Sequence, residues 1–437
     1  MQKIEIRNFG PIPYCNVELK DFMIFIGQQA TGKSTICKCI YFFKSVRDEV
    51  IAYLHGILNE GADDTECIKA INKRLKYKFV NIFGQTKYKN HFSIRFDYAD
   101  DLFISTTITK DSNKYLDFHM NETLSYKINN LRRLAENEYH FINSLNNGDD
   151  RYARLEKDKA FKGIEFEVNK LFSDSSEIFY IPAGRGLLSL LTDQLLLIDI
   201  KLLDYISGSF MRIIQEKRIS FDQELEILRD TELYKSSDIK EKREMLLEQI
   251  TGILKGQYYF KNGKEYLKIN NESSILINYA SSGQQEVIWI LNLLFLWSLQ
   301  KEKSFFVVIE EPEAHLYPDT QKSVLDYIAM FSNVSNNQIM VTTHSPYILT
   351  SANNLLYAGK VGSKSERVDK IIPKDKWLNS SNFAAYLVGQ DPQDYVRSIV
   401  DDELEEIAAE EIDKISKVLR NDYAEIFDLE AHNEFTK

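Results

Sequence analysis

No apolar run in this sequence approaches the ~20 residues that a membrane-crossing helix needs. The longest candidate, Val287–Leu299, is interrupted by Asn292 and carries Trp289 and Trp297. The opening residues, MQKIEIRNFG, hold no apolar segment of the secretory type, so the expected location is cytoplasmic. Cysteine is scarce: Cys15, Cys37, Cys39 and Cys67 fit no zinc-ligand spacing, and Cys37 and Cys39 fall on different faces of one expected helix. They read as reduced core residues. Repeats and low-complexity linkers are missing too. Secreted, membrane-spanning and disulfide-stapled classes are thereby excluded.

What remains is an ordinary globular composition, 44% hydrophobic and 27% charged over 437 residues, with room for two or three structural units. The net charge of −11 argues against a uniformly basic nucleic-acid binder, yet the charge is unevenly spread. Between Lys69 and Arg95 every charged residue is basic, with Tyr77, Phe79, Phe83, Tyr88 and Phe92 interleaved. Lys73, Arg74, Lys76 and Lys78 are the heart of this stretch. It is either a solvated face or a phosphate-backbone patch for DNA or RNA. From Asp401 to Asp413 the charges are all acidic, which suits a solvated face or a docking surface for a basic partner.

Alternating residues predict strands over Lys3–Asn8 and Cys15–Lys20, and Phe22–Ile26 has the continuous apolar pattern of a buried strand. A helix is expected over Lys33–Tyr53, an antiparallel meander over 75–120, helices over 122–172, and a strand at Glu177–Ile181. Gln194–Lys255 has a helical pattern, and Asn262-Gly263 marks a hairpin turn inside Tyr258–Leu267. The second half alternates: helix Gln284–Gln300, strand Phe305–Glu310, helix Asp319–Phe331, strand Gln338–Thr343, a helix near Pro346–Thr350 and a strand Leu355–Ala358. From about Val361 the tail reads helical and acidic. The fold class is α/β, with a mostly parallel sheet covered by helices.

Four motifs carry chemistry. Gly27, Gln28, Gln29, Ala30, Thr31, Gly32, Lys33 and Ser34, followed by Thr35, fit G-x-x-x-x-G-K-[ST] between a strand and a helix. Such glycines let backbone N–H groups curl around a phosphate, Lys33 reaches the β/γ-phosphates and Ser34 can ligate Mg²⁺. The apolar strand ending in Glu310-Glu311 sets one carboxylate by the magnesium, through its water shell, and the next by the attacking water. Ala280-Ser-Ser-Gly-Gln-Gln-Glu286 is a small-residue turn opening a helix. His344 closes a strand.

In this order the motifs resemble the head domain of ABC-type ATPases, with P-loop, signature, acidic strand end and switch histidine. Ser282, Gly283 and Gln285 match the signature, with Gln284 departing at its second Gly; Glu310 stands where Asp is commoner. Pro312–Pro318 occupies the D-loop position. The resemblance implies ATP and Mg²⁺ as ligands, Glu311 and His344 as catalytic groups, and a head-to-head dimer or higher homo-oligomer in which each signature reads the nucleotide of the other chain.

The stretch between Lys33 and Ser282 is far too long for a transporter subunit and too short for an SMC coiled-coil arm. The chain is therefore similar to the compact SMC/RecF/OLD group, most of all to the anti-phage defence ATPases of Septu type, with which it shares Tyr180-Ile-Pro-Ala-Gly-Arg185 and IEEPEAHLYP. That resemblance implies a separate HNH-type nuclease partner; the alternative is a RecF-like DNA-binding repair ATPase. Arg185 stands where SMC heads carry a magnesium-sensing Gln, and either contacts phosphate or braces its turn. The stretch after His344 is too short for a Toprim nuclease, so no effector is expected within the chain. The resulting division is a first half-head over 1–185, a helical insertion over 186–256, a second half-head over 257–360 and a helical acidic region over 361–437.

Overall fold

The computed structural model describes residues 1–84, 91–108, 116–145, 150–191, 203–222, 237–270, 272–300, 303–335, 337–389, 391, 394–401, 403–408, 421 and 424. In chain order the first lobe holds β1 (Lys3–Phe9), β2 (Ile12–Glu18), β3 (Phe22–Gly27), α1 (Lys33–Lys44), α2 (Val46–Glu60), α3 (Cys67–Phe83), β4 (Phe92–Ala99), β5 (Leu102–Ile108) and β6 (Phe118–Met120). Next come α4 (Glu122–Leu145), α5 (Asp150–Phe172), β7 (Glu177–Ile181), α6 (Arg185–Leu191), α7 (Tyr205–Lys217) and α8 (Ser237–Leu254). The chain continues through β8 (Gln257–Lys261), β9 (Lys264–Lys268), β10 (Ser274–Leu276), α9 (Ser282–Ser298), β11 (Phe305–Glu310), α10 (Pro318–Val334), β12 (Gln338–Thr343) and α11 (Pro346–Gly362). Last are β13 (Phe383–Val388), β14 (Val396–Ser398), β15 (Val400–Asp401) and β16 (Glu406–Ile407).

Six strands build the central sheet in the order β14-β13-β3-β12-β11-β7. All neighbours run parallel except β13 and β14. Its strands are apolar on both faces, as in Phe305-Phe-Val-Val-Ile309, because helices cover both sides. A second sheet, β2-β1-β4-β5-β6, is antiparallel and alternates buried with exposed positions. A small β10-β9-β8 sheet turns at Asn262-Gly263, both with positive φ, as a tight hairpin requires. The four cysteines are buried, and none forms a disulfide. Burial pushes up the thiols of Cys15, Cys37 and Cys67, that of Cys15 to about 12 and that of Cys67 to about 11.

Three expectations need correction. Residues 67–83, partly assigned to a meander, form α3: Ile71, Leu75, Phe79 and Ile82 recur at helical spacing and all are buried. The expected strand Leu355–Ala358 is the middle of α11, whose Pro346 at the first turn and Ser345 cap start a helix that runs on to Gly362. The region from 361 is not a helical appendage among its described residues: Phe383-Ala-Ala-Tyr-Leu-Val388 enters the central sheet beside β3. Local pattern was too weak there, since a six-residue apolar run fits a helix as well as a buried strand. The described parts of 186–256 are helical, although Arg218–Phe221 breaks the run. Part of that stretch and much of the acidic 401–413 run lie outside the described residues.

Candidate nucleotide site

Five parallel strands end at one edge, and each delivers a loop there. Gly27 pairs with Val388, Ile26 with Thr343, Glu310 with Thr342 and Ile181 with Ile309. The carboxyl edge of an open α/β sheet is where such folds place ligands. The P-loop follows β3, Pro182–Arg185 follows β7, Glu311 follows β11, His344 follows β12 and Gly389 follows β13.

The P-loop leaves β3 with left-handed Ala30 (φ 62°) and Gly32 (φ 94°). Gly32 is the N-cap of α1, with no side chain to cap the helix. Among the described residues no backbone carbonyl accepts from the N–H groups of Gln28 to Gly32. A row of unspent donors at a helix N-terminus is the donor set a polyphosphate needs. Lys33 Nζ is buried under the loop, donating to Gly27 O at 2.9 Å and Gln28 O at 2.8 Å. Burial holds the Lys33 ammonium below the usual lysine range, while the charges of Glu311, Glu313 and Glu310 push the other way. Ser34 is exposed one residue further on.

The acidic strand end divides its labour. Glu310 is buried, with Oε1 accepting from the Tyr180 hydroxyl at 2.6 Å and Oε2 from the Ala183 N–H at 3.0 Å. Both oxygens keep a lone pair, which suits contact with magnesium through water. Among the described residues no group of three metal-ligating side chains gathers. A magnesium ion here would rely on Ser34, Glu310 and phosphate oxygens, the usual Mg²⁺ arrangement, and would supply neutralisation of phosphate charge. Glu311 is half-exposed in the left-handed region (φ 42°), a strained position for a non-glycine residue. Its Oε1 lies 3.3 Å from His344 Nε2, and His344 Nδ1 lies 3.5 Å from Lys33 Nζ. An ammonium only donates, so the contact with Lys33 suits the tautomer that presents an Nδ1 lone pair to Lys33 and an Nε2 proton to Glu311.

Arg185 is fully buried. It donates to Glu286 O at 2.8 Å, Pro182 O at 2.7 Å, Glu310 O, and Glu311 O at 2.9 Å, with the Glu286 carboxylate 3.5 Å away. Among the described residues its guanidinium donates to backbone carbonyls, the geometry of a brace. It ties the signature helix α9 to the backbone of the acidic strand end.

Ser282 is exposed at the start of α9, behind a Ser281–Gln284 capping box. A Cβ on Gly283 would lie 2.8 Å from His315 O, so only glycine lets the D-loop approach this closely. Lys255, Ser282, Gly283, His315 and Tyr317 line a cavity of about 500 Å³. Gln285 turns inward instead, its amide donating to the carbonyls of Ile277 and Ala280. It shapes the signature turn from within its own chain.

Among the described residues of the basic stretch, most cations are paired with acids. Lys78 is buried and, with Arg74, pairs with Glu49; Lys76 pairs with Asp117 and Lys69 with Glu66. Phe79, Phe83 and Phe92 pack against Phe9 in the core. Lys73 remains exposed on α3, and residues 85–90 lie outside the described set. Packing brings these cations of α3 against Glu49 of α2 and Asp117 ahead of β6, neighbours that sequence order hides.

Several residues escaped the motif reading. Tyr180, standing in an apolar strand, proves to be the donor that orients Glu310. Glu313 is buried; its Oε1 accepts from Thr343 Oγ1 and from His344 N, both at 2.7 Å, which couples the D-loop to the switch histidine. Its signal was a third carboxylate directly after Glu310, Glu311 and Pro312. Gly389 and Tyr395 touch the P-loop from the far end of the chain, and no sequence signal announces them.

No curated protein matches the chain. Among solved structures it is similar to an SMC head bound to the C-winged helix domain of ScpA, at 14% identity and a TM-score of 0.36 over 80% of this chain and 91% of that one. It is also similar to the SMC head domain from Thermotoga maritima, at 12% identity and 0.35 over 80% and 90%. An SMC head from Pyrococcus furiosus with an extended coiled coil gives 14% and 0.33 over 81% and 92%. Overlaps of this degree say nothing of activity. The model of the AAA ATPase domain family, however, matches residues 1–349, and the chain belongs to that family.

Proposed function

We propose that this ATPase-family chain binds and hydrolyses Mg²⁺-ATP at an ABC-type head, closes as a head-to-head dimer around the nucleotide, and thereby regulates a separate effector, a nuclease in anti-phage defence. The observation that carries the reading is the convergence of Lys33, Glu310, Glu311 and His344 at one sheet edge while Ser282 and Gly283 face outward beside the D-loop. In such a cycle the P-loop amides and Lys33 hold the triphosphate, Ser34 and Glu310 hold the magnesium, and Glu311 positions and deprotonates the attacking water with His344 at its side. The outward signature of one chain completes the site of its partner. The effector reading is favoured over a RecF-like DNA clamp because ion pairs on α3 already take up most of the charge such a clamp would use.

The test mixes two inactive variants. Ser282→Arg should block closure yet bind ATP, and Lys33→Ala should bind none. A mixed dimer pairs an intact P-loop with an intact signature, so about half of the wild-type activity per site pair should return, the other pair being dead. Mixed dimers that form without hydrolysing would refute a shared site. Co-purification with the products of neighbouring genes identifies the effector; recovery of replication proteins instead of a nuclease would favour the clamp.

A further inference from the structure

The P-loop has flanking support from a part of the chain beyond residue 349, where the family match ends. In the register of β3 and β13, Gly27 lies opposite Val388, and a Cβ at Gly27 would come within 2.3 Å of Val388 O. Gly389 follows in the left-handed region (φ 87°), and a Cβ there would lie 2.4 Å from Thr31 Cγ2. Gly27 thus lets the Val388 carbonyl come close, and Gly389 leaves room for the Thr31 side chain. Tyr395 closes the contact: its hydroxyl donates to Thr31 O at 3.1 Å, and its carbonyl accepts from Gly389 N at 2.8 Å.

On the opposite flank, a Cβ at Gly32 would lie 2.9 Å from both Pro11 and Ile12, at the turn between β1 and β2. The P-loop is therefore flanked by the β1–β2 turn and by Gly389 and Tyr395. Its crest, Gln28 to Ala30, is exposed, and Thr31 Oγ1 donates only within the loop, to Gln28 O at 2.9 Å. A loop whose amides must all point at one anion binds tightly only if it is ordered beforehand, since ordering it on binding costs affinity.

We propose that the β13–β14 hairpin is a working part of the nucleotide site, and that Tyr395 is a positioning residue that sets the P-loop arch through the Thr31 carbonyl. Burial raises the Tyr395 phenol above its ordinary value, so it remains a hydrogen-bond donor across the neutral range. The proposal rests on the reading that the P-loop binds ATP.

The test uses the full-length chain with Tyr395→Phe, Tyr395→Ala and Gly389→Ala, measuring Mg²⁺-ATP binding at equilibrium, KM, kcat and the melting temperature without nucleotide. Tyr395→Phe removes one hydrogen bond and should weaken ATP binding about five-fold. KM should rise in step while kcat and the nucleotide-free melting temperature hold. Tyr395→Ala should weaken binding more, and Gly389→Ala most, since its methyl meets Thr31 directly. Affinities equal to wild type in both Tyr395 variants would overturn the proposal, as would a loss of kcat at unchanged affinity. A wild-type chain that bound no ATP would overturn the nucleotide reading itself, and this proposal with it.

Discussion

His344 Nε2 stands 3.3 Å from Glu311 Oε1 while the other nitrogen of the same ring faces Lys33 at 3.5 Å, so one imidazole spans the cation and the half-exposed carboxylate of the site. Glu311→Gln keeps the shape of that contact and removes the proposed base. We expect ATP to bind with near wild-type affinity and hydrolysis to fall by about 10²–10⁴-fold, the usual worth of a positioned general base. Single-turnover hydrolysis beside equilibrium binding separates the two effects. Wild-type turnover in Glu311→Gln would move the base elsewhere.

Tyr180→Phe removes the donor that fixes Glu310 Oε1 and leaves a hydroxyl-sized gap in a buried position. Groups that orient a metal-holding carboxylate are commonly worth about 10–100-fold in metal affinity or activity. The magnesium concentration for half-maximal ATPase should therefore rise by roughly that factor. Nucleotide binding without magnesium should stay the same. An unchanged magnesium dependence would assign Tyr180 to packing alone.

Arg185 is fully buried and donates to four carbonyls beside the Glu286 carboxylate. Arg185→Met should destabilise the chain by about 3–5 kcal/mol, because Glu286 is left buried without its cation. Heat denaturation followed by circular dichroism reads that loss. Arg185→Lys keeps the charge but cannot reach all five partners, and should lose more hydrolysis than ATP binding, since the carbonyls set adrift belong to Glu310 and Glu311. Equal losses of both would make the arginine a fold brace only.

The groups that meet at the sheet edge were largely legible because they sit in short motifs at strand ends, where strand, loop and helix N-terminus succeed each other without gaps. Gly27–Ser34, Glu310–Glu311 and His344 needed only that local context. The hidden part depends on distant pairing. Nothing near Phe383 says that it will lie beside Phe22, and nothing near Tyr395 points to Thr31. The α3 cations looked available because Glu49 and Asp117 are far from them in sequence. Arg185 could be read either way until its burial was known, since a guanidinium binds a phosphate and a cage of carbonyls by the same geometry.

At the other end of the sheet, charge burial makes stability depend on pH. Lys44 is buried with its ammonium 2.8 Å from Asp174, near Gln2 and Gln338 and above the Phe306 ring, while Arg47 approaches the same carboxylate at 3.6 Å. Burial alone would raise the Asp174 carboxyl; the charge and hydrogen bond of Lys44, the Ser176 N–H and Arg47 override it and hold the group below its ordinary 3.8. A carboxyl depressed in the folded state contributes stability above its ordinary value and loses it as pH falls through the folded value. The melting-temperature gap between wild type and Asp174→Asn should thus be full at pH 7 and shrink below about pH 4, as the wild-type carboxylate takes up its proton. At neutral pH the gap should correspond to about 3–5 kcal/mol, the cost of an uncompensated buried charge. Burial also lowers the Lys44 ammonium from its ordinary range. In Asp174→Asn that lysine has lost its anion, so the variant should recover stability toward alkaline pH as Lys44 sheds its proton. A gap independent of pH at both ends would show that Asp174 acts through packing and not through charge.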